Sequence, residues 1–448
     1  MEGISLTRVL AGKAAALDYD DLPPPARELV RQCVLDYLGV ALAGAIDGLV
    51  RLLLDEMSEA GGAPQASVIG HEAWLPALSA ALVNGVAAHA LDYDDVNMAM
   101  PGHPSVAILP ALLALAELRH SSGHAVATAF VAGYETTCRI GAALQPGHYN
   151  LGFHSTGTIG SFGAAAACAR LLGLDAETTA IALGIAGTQA AGLKSQFGTM
   201  CKPFHAGKAA QCGLLAARLA ARGFSSRTDI VECVQGFALT HGPDFAPAAA
   251  LAEPEGGLHL FANLFKYHAA CYLTHAPIEC ARRLREDHRL EPDAIAGITL
   301  RLDASCERVC NIPAPSDGLQ SKFSLRQTVA MALAGVDTAS LGAYSAENAR
   351  DPRLVGLRER VVLDWQDSWP QTLSELELEL TDGRRPMARH DAGIPAGDIA
   401  DQGRRLAAKF DSLVEPVFGP SRTRELRETI AGLDSLADIG TLARLAAA

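Results

Sequence analysis

Through the first 240 residues, apolar side chains recur at intervals of three and four among many alanines and glycines, a spacing that predicts stacked amphipathic helices. The expected helices span about 24–45, 75–91, 105–119, 123–143, 157–172, 176–192 and 206–222. The first is entered through Pro23-Pro24-Pro25, and each closes near a glycine or a polar break. No fixed-period repeat is present, which argues against a solenoid. The stretch "GPDFAPAAALAEPEGG" (242–257) ends this texture, and strict alternation follows in "GITLRL" (297–302) and "ELELEL" (375–380). The Asp-Gly of "TDGR" then predicts a turn into "PMARH". "KFSLRQTVAMALAG" (322–335) reads as helix, and amphipathic helix returns from Ile399 onward. The expected fold is mainly α: a large all-helical domain over 1–268, completed by C-terminal helices at 397–448, and a smaller α+β domain over 269–396.

Composition narrows the function. Hydrophobic residues make up 49% of the 448, yet a long apolar run such as Val106–Ala116 is too short to span a bilayer and contains Pro110. The first twenty residues lack the cationic-then-apolar layout of a signal peptide, so a soluble cytoplasmic protein is expected. A net charge of −13 argues against nucleic acid and anionic membrane as partners, because both require a basic surface. None of the ten cysteines forms a C-x-x-C pair, so zinc and iron–sulfur centres are not expected, and most should be buried thiols. An anionic substrate would need a locally positive pocket.

Three segments supply cationic groups in one layout, a histidine or lysine in an irregular turn just before a small-residue helix. In "PGHPS" (101–105), Pro104 holds His103 out of helical geometry and Ser105 is a candidate cap. In "GFHSTGTIGSFGAAAACA" (152–169), His154 precedes the candidate caps Ser155 and Thr156. In "CKPFHAGK" (201–208), Lys202 and His205 precede the expected helix, and Lys208 falls in its first turn. Helix N-termini attract anions, so three such starts could converge on one. The chain has 37 lysines and arginines, only seven of them lysine, and five of the seven lie between Lys194 and Lys322. Arginine stays protonated whereas a buried lysine can exchange its proton, so retained lysines favour acid–base or carboxylate-binding roles. "HALDYDDVNMAM" (89–100) adds carboxylates at a helix end, where Asp92 or Asp94 could orient a histidine. Two other motifs fail. "AGKA" has Lys at 202 and Ala at 209 where a phosphate loop needs Gly and Ser/Thr, and "DYDD" lacks the D-D-x-x-D order of terpene synthases.

These segments, together with "FGTMCKPFHAGKAA" and "FKYHAACYLTHAP", resemble the MmgE/PrpD family over nearly the whole chain. Its members include 2-methylcitrate dehydratase, cis-aconitate decarboxylase and iminodisuccinate epimerase. The resemblance implies a large helical domain with a smaller α+β lid, a homodimer, a small di- or tricarboxylic acid as substrate, and no metal or organic cofactor. It implies active-site roles for Asp92, His103, His154, Lys202 and Lys266, with Asp92 orienting a histidine, and substrate contacts for Tyr149, His205 and Cys271. The chain departs from the decarboxylases where Cys271 replaces a histidine and Val96 a threonine, and their lid tyrosine has no clear counterpart in "RLDASCERVCNIP". A dehydratase is therefore the leading expectation, with an epimerase or racemase second and a non-catalytic helical binding protein third.

Overall fold

A computed structural model describes residues 5–447. It is mainly α, with 61% of residues helical, and it divides into two compact units, Met1–Phe265 with Ala396–Ala448, and Lys266–Pro395. The first unit runs through α1 (Leu6–Ala16), α2 (Pro24–Gly44), α3 (Gly48–Ala60), the two-residue strands β1 (Ala66–Ser67) and β2 (Trp74–Leu75), α4 (Ala77–His89), α5 (Pro104–Arg119), α6 (Gly123–Leu144), α7 (Gly147–Leu151), α8 (Ser155–Leu171), α9 (Ala176–Gly187) and α10 (Cys201–Ala220). The C-terminal helix Ile399–Ala431 belongs to the same unit and packs on α2. It is interrupted at Gly419, whose φ of 76° is non-helical, between Pro416 and Pro420. Among the described residues no single helix is long and apolar enough to cross a bilayer, and the adjoining α2 and α3 bend by 87° at their break.

α4, α5, α8 and α10 are buried on most of their surface and pack on one another, which explains their near-continuous small and apolar composition. Two helices begin or end elsewhere than the spacing predicts. α10 starts at Cys201, so Lys202 lies inside its first turn rather than before it, and Pro203 is tolerated there because first-turn N–H groups have no helical acceptor. Lys208 consequently sits beyond the first turn and is exposed, bonding Gln211 at 2.6 Å. α9 stops at Gly187, and the chain from Thr188 to Met200 is largely irregular, with Gly192 at φ 149° and Gly198 at φ 85°.

The second unit is α+β. Its sheet has the order β4-β3-β5-β6, from β3 (Ile295–Asp303), β4 (Val361–Gln366), β5 (Leu373–Leu380) and β6 (Met387–Asp391); β3 and β4 are parallel and the other pairs antiparallel. The alternation of "ELELEL" is resolved as Leu376, Leu378 and Leu380 facing a core shared with helices His275–His288 and Leu325–Leu333. On the other face, Arg301 of β3 binds Glu375 at 3.0 Å and Glu377 at 2.9 Å on β5, and Asp364 at 3.2 Å on β4. Cross-strand pairs of this kind fix register.

One of the close helix contacts in the first unit joins α4 to α10. A Cβ added at Gly207 would lie 2.1 Å from the Leu82 carbonyl oxygen, and one at Gly85 would lie 2.6 Å from the Gly207 Cα. Gly207→Ala must therefore push α10 off α4. It is expected to cost about 1–3 kcal/mol, read as a lower denaturation midpoint; a midpoint equal to that of the unsubstituted protein would show that the two helices do not meet this closely.

Candidate active site

The site is assembled from helix ends in the first unit. α4 closes at His89, and the chain then reverses through Asp92, whose φ of 52° is left-handed, a conformation aspartate tolerates better than most residues. The returning segment is pinned on both sides. Val96 and Leu264 exchange backbone hydrogen bonds at 2.7 and 2.8 Å, and the Asn97 amide donates to Tyr134 Oη and to the His259 carbonyl. Behind it, Lys409 of the C-terminal helix pairs with Asp36 of α2 at 2.6 Å and donates to the Tyr93 carbonyl at 2.7 Å, all within the buried interior.

This turn carries Asp92, Asp94 and Asp95 to the N-terminus of α5, where His103 is the N-cap residue. The His103 backbone N–H donates to Thr156 Oγ1 at 3.1 Å, which ties the start of α5 to that of α8. Neither His103 nor His154 caps its helix through its side chain. The expected caps do other work: Ser105 donates its hydroxyl to Asp95, and Thr156 accepts from His103.

Asp94 organises the histidines. His89 Nδ1 lies 2.9 and 3.1 Å from its two carboxylate oxygens, and His103 Nδ1 lies 2.9 Å from Oδ2 and 2.8 Å from the Asp95 carbonyl. A ring nitrogen facing a carboxylate and a carbonyl carries the proton, which leaves Nε2 of His103 with its lone pair. The carboxylate that orients His103 is thus Asp94, whereas Asp92 meets Lys202 Nζ at 2.8 Å and stands 3.7 Å from His103 Nε2. Lys202 opposes the α10 dipole from the first turn, and the Asp92 ion pair offsets that cost. His154 neighbours His89 as well, ring centroids 5.8 Å apart, with Nδ1 3.0 Å from Nδ1 of His205. Small residues admit this contact, since a Cβ on Gly157 would come within 3.0 Å of the His205 Cβ.

Burial sets the charge states. It holds His89 down to about 4 and His154 well below the usual histidine range, with nearby cationic groups adding to the effect on His154, so both rings are neutral at physiological pH. Burial also lowers His205, aided by Lys202. Burial opposes ionisation of Asp94, but His103 and His89 outweigh it and hold this carboxyl well below the ordinary range. Asp95 is pushed up to about 8 by burial, against the Ser105 bonds and with Asp36 and Asp94 adding to the rise, and is protonated at neutral pH.

The structure thus brings Asp92, His103, His154, Lys202 and His205 together. Tyr149 sits on α7 with Lys194 Nζ 3.5 Å above its ring. Lys266 and Cys271 are buried members of the second unit, Cys271 within its hydrophobic core near Cys306 and Cys310. His89 and Asp95 were not anticipated from the sequence, and Thr156 was anticipated only as a helix cap. The available signal for His89 was a histidine interrupting the apolar run "LVNGVAAHA", where a buried imidazole needs a partner. His89, Asp92, Asp94 and His103 each offer a ligand atom within 4.8 Å of the others. A cation there would have to displace Lys202 from Asp92 and compete with the ring protons held on Asp94, so the donor set fits an acid–base network better than a metal centre.

Two outcomes follow from these charges. His89, His148 and His259 are each depressed to about 4, with burial the main cause, so their contribution is complete above about 6.5 and is lost as pH falls from there toward 4, at up to about 1.4 kcal/mol per pH unit for each. Asp95 and Glu135, raised to about 8 and about 7 mainly by burial, act in the opposite sense over that window but are fewer. The denaturation midpoint should therefore fall between pH 7 and 5 in calorimetry; a midpoint that rises would contradict neutral burial of these rings. Separately, Lys409→Met breaks the buried Asp36–Lys409 ion pair and should cost about 3–5 kcal/mol, while Asp36→Leu combined with Lys409→Met should recover most of that loss.

Comparison with known proteins finds relatives over nearly the whole chain. The profile of the MmgE/PrpD N-terminal domain matches residues 8–248 and that of the MmgE/PrpD C-terminal domain matches residues 268–435. The cis-aconitate decarboxylase of Aspergillus terreus is 29% identical over 464 residues, spanning 96% of this chain and 94% of its own. The cis-aconitate decarboxylases of Mus musculus and Homo sapiens are 26% and 27% identical, each spanning 98% of this chain and 93% and 94% of their own. With both domain profiles matched in order along nearly its whole length, the chain belongs to the MmgE/PrpD family.

Proposed function

We propose that the protein is a cofactor-independent lyase of the dehydratase type that removes a proton from the carbon beside a carboxylate of a small di- or tricarboxylic acid. The observation that carries this reading is the pair of contacts on His103 Nδ1, from Asp94 and from the Asp95 carbonyl, which reserve Nε2 for taking up a proton next to the Lys202–Asp92 pair. In this reading Lys202 binds a substrate carboxylate and stabilises the enolate-like charge that develops. His103 Nε2 takes the carbon-bound proton, and Asp94 stabilises the imidazolium so formed. The proton that leaves with hydroxide as water comes through the His154–His205 pair, entered at the half-buried His205. Assignment of Lys266 to carboxylate binding rests on family membership.

The relatives named above favour a second reading, decarboxylation of an unsaturated tricarboxylic acid. Loss of carbon dioxide leaves the same kind of charge, which a proton on the histidine cluster would quench at carbon. Cys271 and Val96 stand where those decarboxylases are expected to carry histidine and threonine, which is why dehydration leads.

Proton NMR in D₂O with citrate, 2-methylcitrate and cis-aconitate separates the cases. Loss of water is the expected result, loss of carbon dioxide selects the second reading, and deuterium incorporation into an intact skeleton indicates an epimerase. His103→Asn and Lys202→Ala, still folded by circular dichroism, are each expected to lower turnover about 10²–10⁴-fold. Turnover by either variant at the rate of the unsubstituted protein would sink the proposal.

A further inference from the structure

Asp94 serves two imidazoles, and the reading above uses only one of them. His89 is completely buried, donates from Nδ1 to both oxygens of Asp94, and leaves its Nε2 with no hydrogen-bond partner among the described residues. Its ring lies 4.7 Å from that of His103 and 5.8 Å from that of His154, centroid to centroid, so it neighbours both proposed proton-transfer groups. A packing role alone would be filled more cheaply by phenylalanine, because a buried ring nitrogen without a partner carries an uncompensated desolvation cost.

We propose that His89 is a positioning residue that acts through Asp94. By straddling both carboxylate oxygens, its Nδ1–H fixes the plane of the Asp94 carboxylate and keeps it ionised in an interior that disfavours charge. Oδ2 is thereby held where it meets His103 Nδ1. Without that second donor, the carboxylate has only His103 and can rotate toward it or take up a proton. Either change loosens the tautomer on which proton uptake at His103 Nε2 depends. The groups around His89 are Asp94 and Asp92 from its own connecting turn, His103 from the start of α5, His154 from the start of α8 and Lys202 from α10. Asp92 is engaged by Lys202, and Asp94 is the carboxylate at hydrogen-bond distance from His89 Nδ1, which makes it the acceptor for the His89 proton. The inference rests on the proposed acid–base role of His103, and its test has one arm that does not need turnover.

Three substitutions separate the atoms of the ring. His89→Asn keeps an N–H near the Nδ1 position, His89→Gln keeps one near Nε2, and His89→Phe keeps only the shape. In protein labelled with ¹⁵N-histidine, the His103 Nδ1–H should exchange slowly with water in the unsubstituted protein and in His89→Asn. It should exchange at least about tenfold faster in His89→Gln and His89→Phe. With whichever carboxylate the protein turns over, kcat should fall about 10–100-fold in the Gln and Phe variants with KM within about twofold, and should recover in Asn, the range seen when a partner orienting a functional imidazole is removed. Retention of both the slow exchange and the full kcat in His89→Phe would reduce His89 to packing and overturn the proposal, as would recovery by Gln rather than Asn, which would make Nε2 the working atom. If His89→Phe does not fold, the comparison of Asn with Gln decides. If no carboxylate is turned over, the proposed function fails while the exchange measurement still decides the role of His89.

Discussion

One buried carboxylate imposes order on the first unit. An ionised group as enclosed as Asp94 is tolerated only when donors compensate its lost hydration, and here two imidazoles supply them from different helices. The requirement runs both ways. Asp94 dictates which nitrogen of each ring carries the proton, and the rings dictate where the carboxylate points. Its neighbour Asp95 lacks comparable donors and stays protonated, so two consecutive aspartates in one turn hold opposite charge states. Sequence adjacency therefore says little about function in this turn; the direction of each side chain decides it.

Such a cluster requires a rigid surround, and the restraints come from distant parts of the chain. The Asp36–Lys409 pair reaches the turn through the Tyr93 carbonyl, joining α2 and the C-terminal helix to the backbone between Asp92 and Asp94. Tyr134 of α6 meets Asn97 while Asn263 accepts from Tyr134, and Leu264 pairs with Val96. The glycines of α4, α8 and α10 complete the arrangement by letting helix backbones approach closely, so that side chains projecting from three helix starts reach one another. The high alanine and glycine content of this half is a geometric condition for the site as well as a packing habit.

Much of this was legible in the sequence. Helices α2, α4, α5, α6 and α8 fall within a few residues of the periodic segments, because each presents small or apolar residues at helical spacing over several turns. The alternating strands β3 and β5 were equally plain, since a half-buried strand shows its period directly. The start of α10 was misread because Pro203 and the glycines before it looked like turn chemistry, although proline is equally at home in the first turn of a helix. The end of α9 was overextended because its apolar run continues past Gly187 into a segment that irregular backbone holds against His205.

By itself the sequence determined the helical character of the first half, the change to α+β texture after residue 257, the scarcity of lysine around which the candidate site was drawn, and the family. Those properties rest on local periodicity, composition and short motifs, all of which are written in neighbouring residues. Only the tertiary structure decided that Asp94 rather than Asp92 holds His103, that Asp92 belongs to Lys202, and that His89 shares the same carboxylate. The physical reason is that ion pairing and desolvation depend on distances of a few ångströms between residues far apart in the chain. His103 and Lys202 are separated by almost a hundred positions, and nothing in either segment alone specifies which of three nearby aspartates each one will meet.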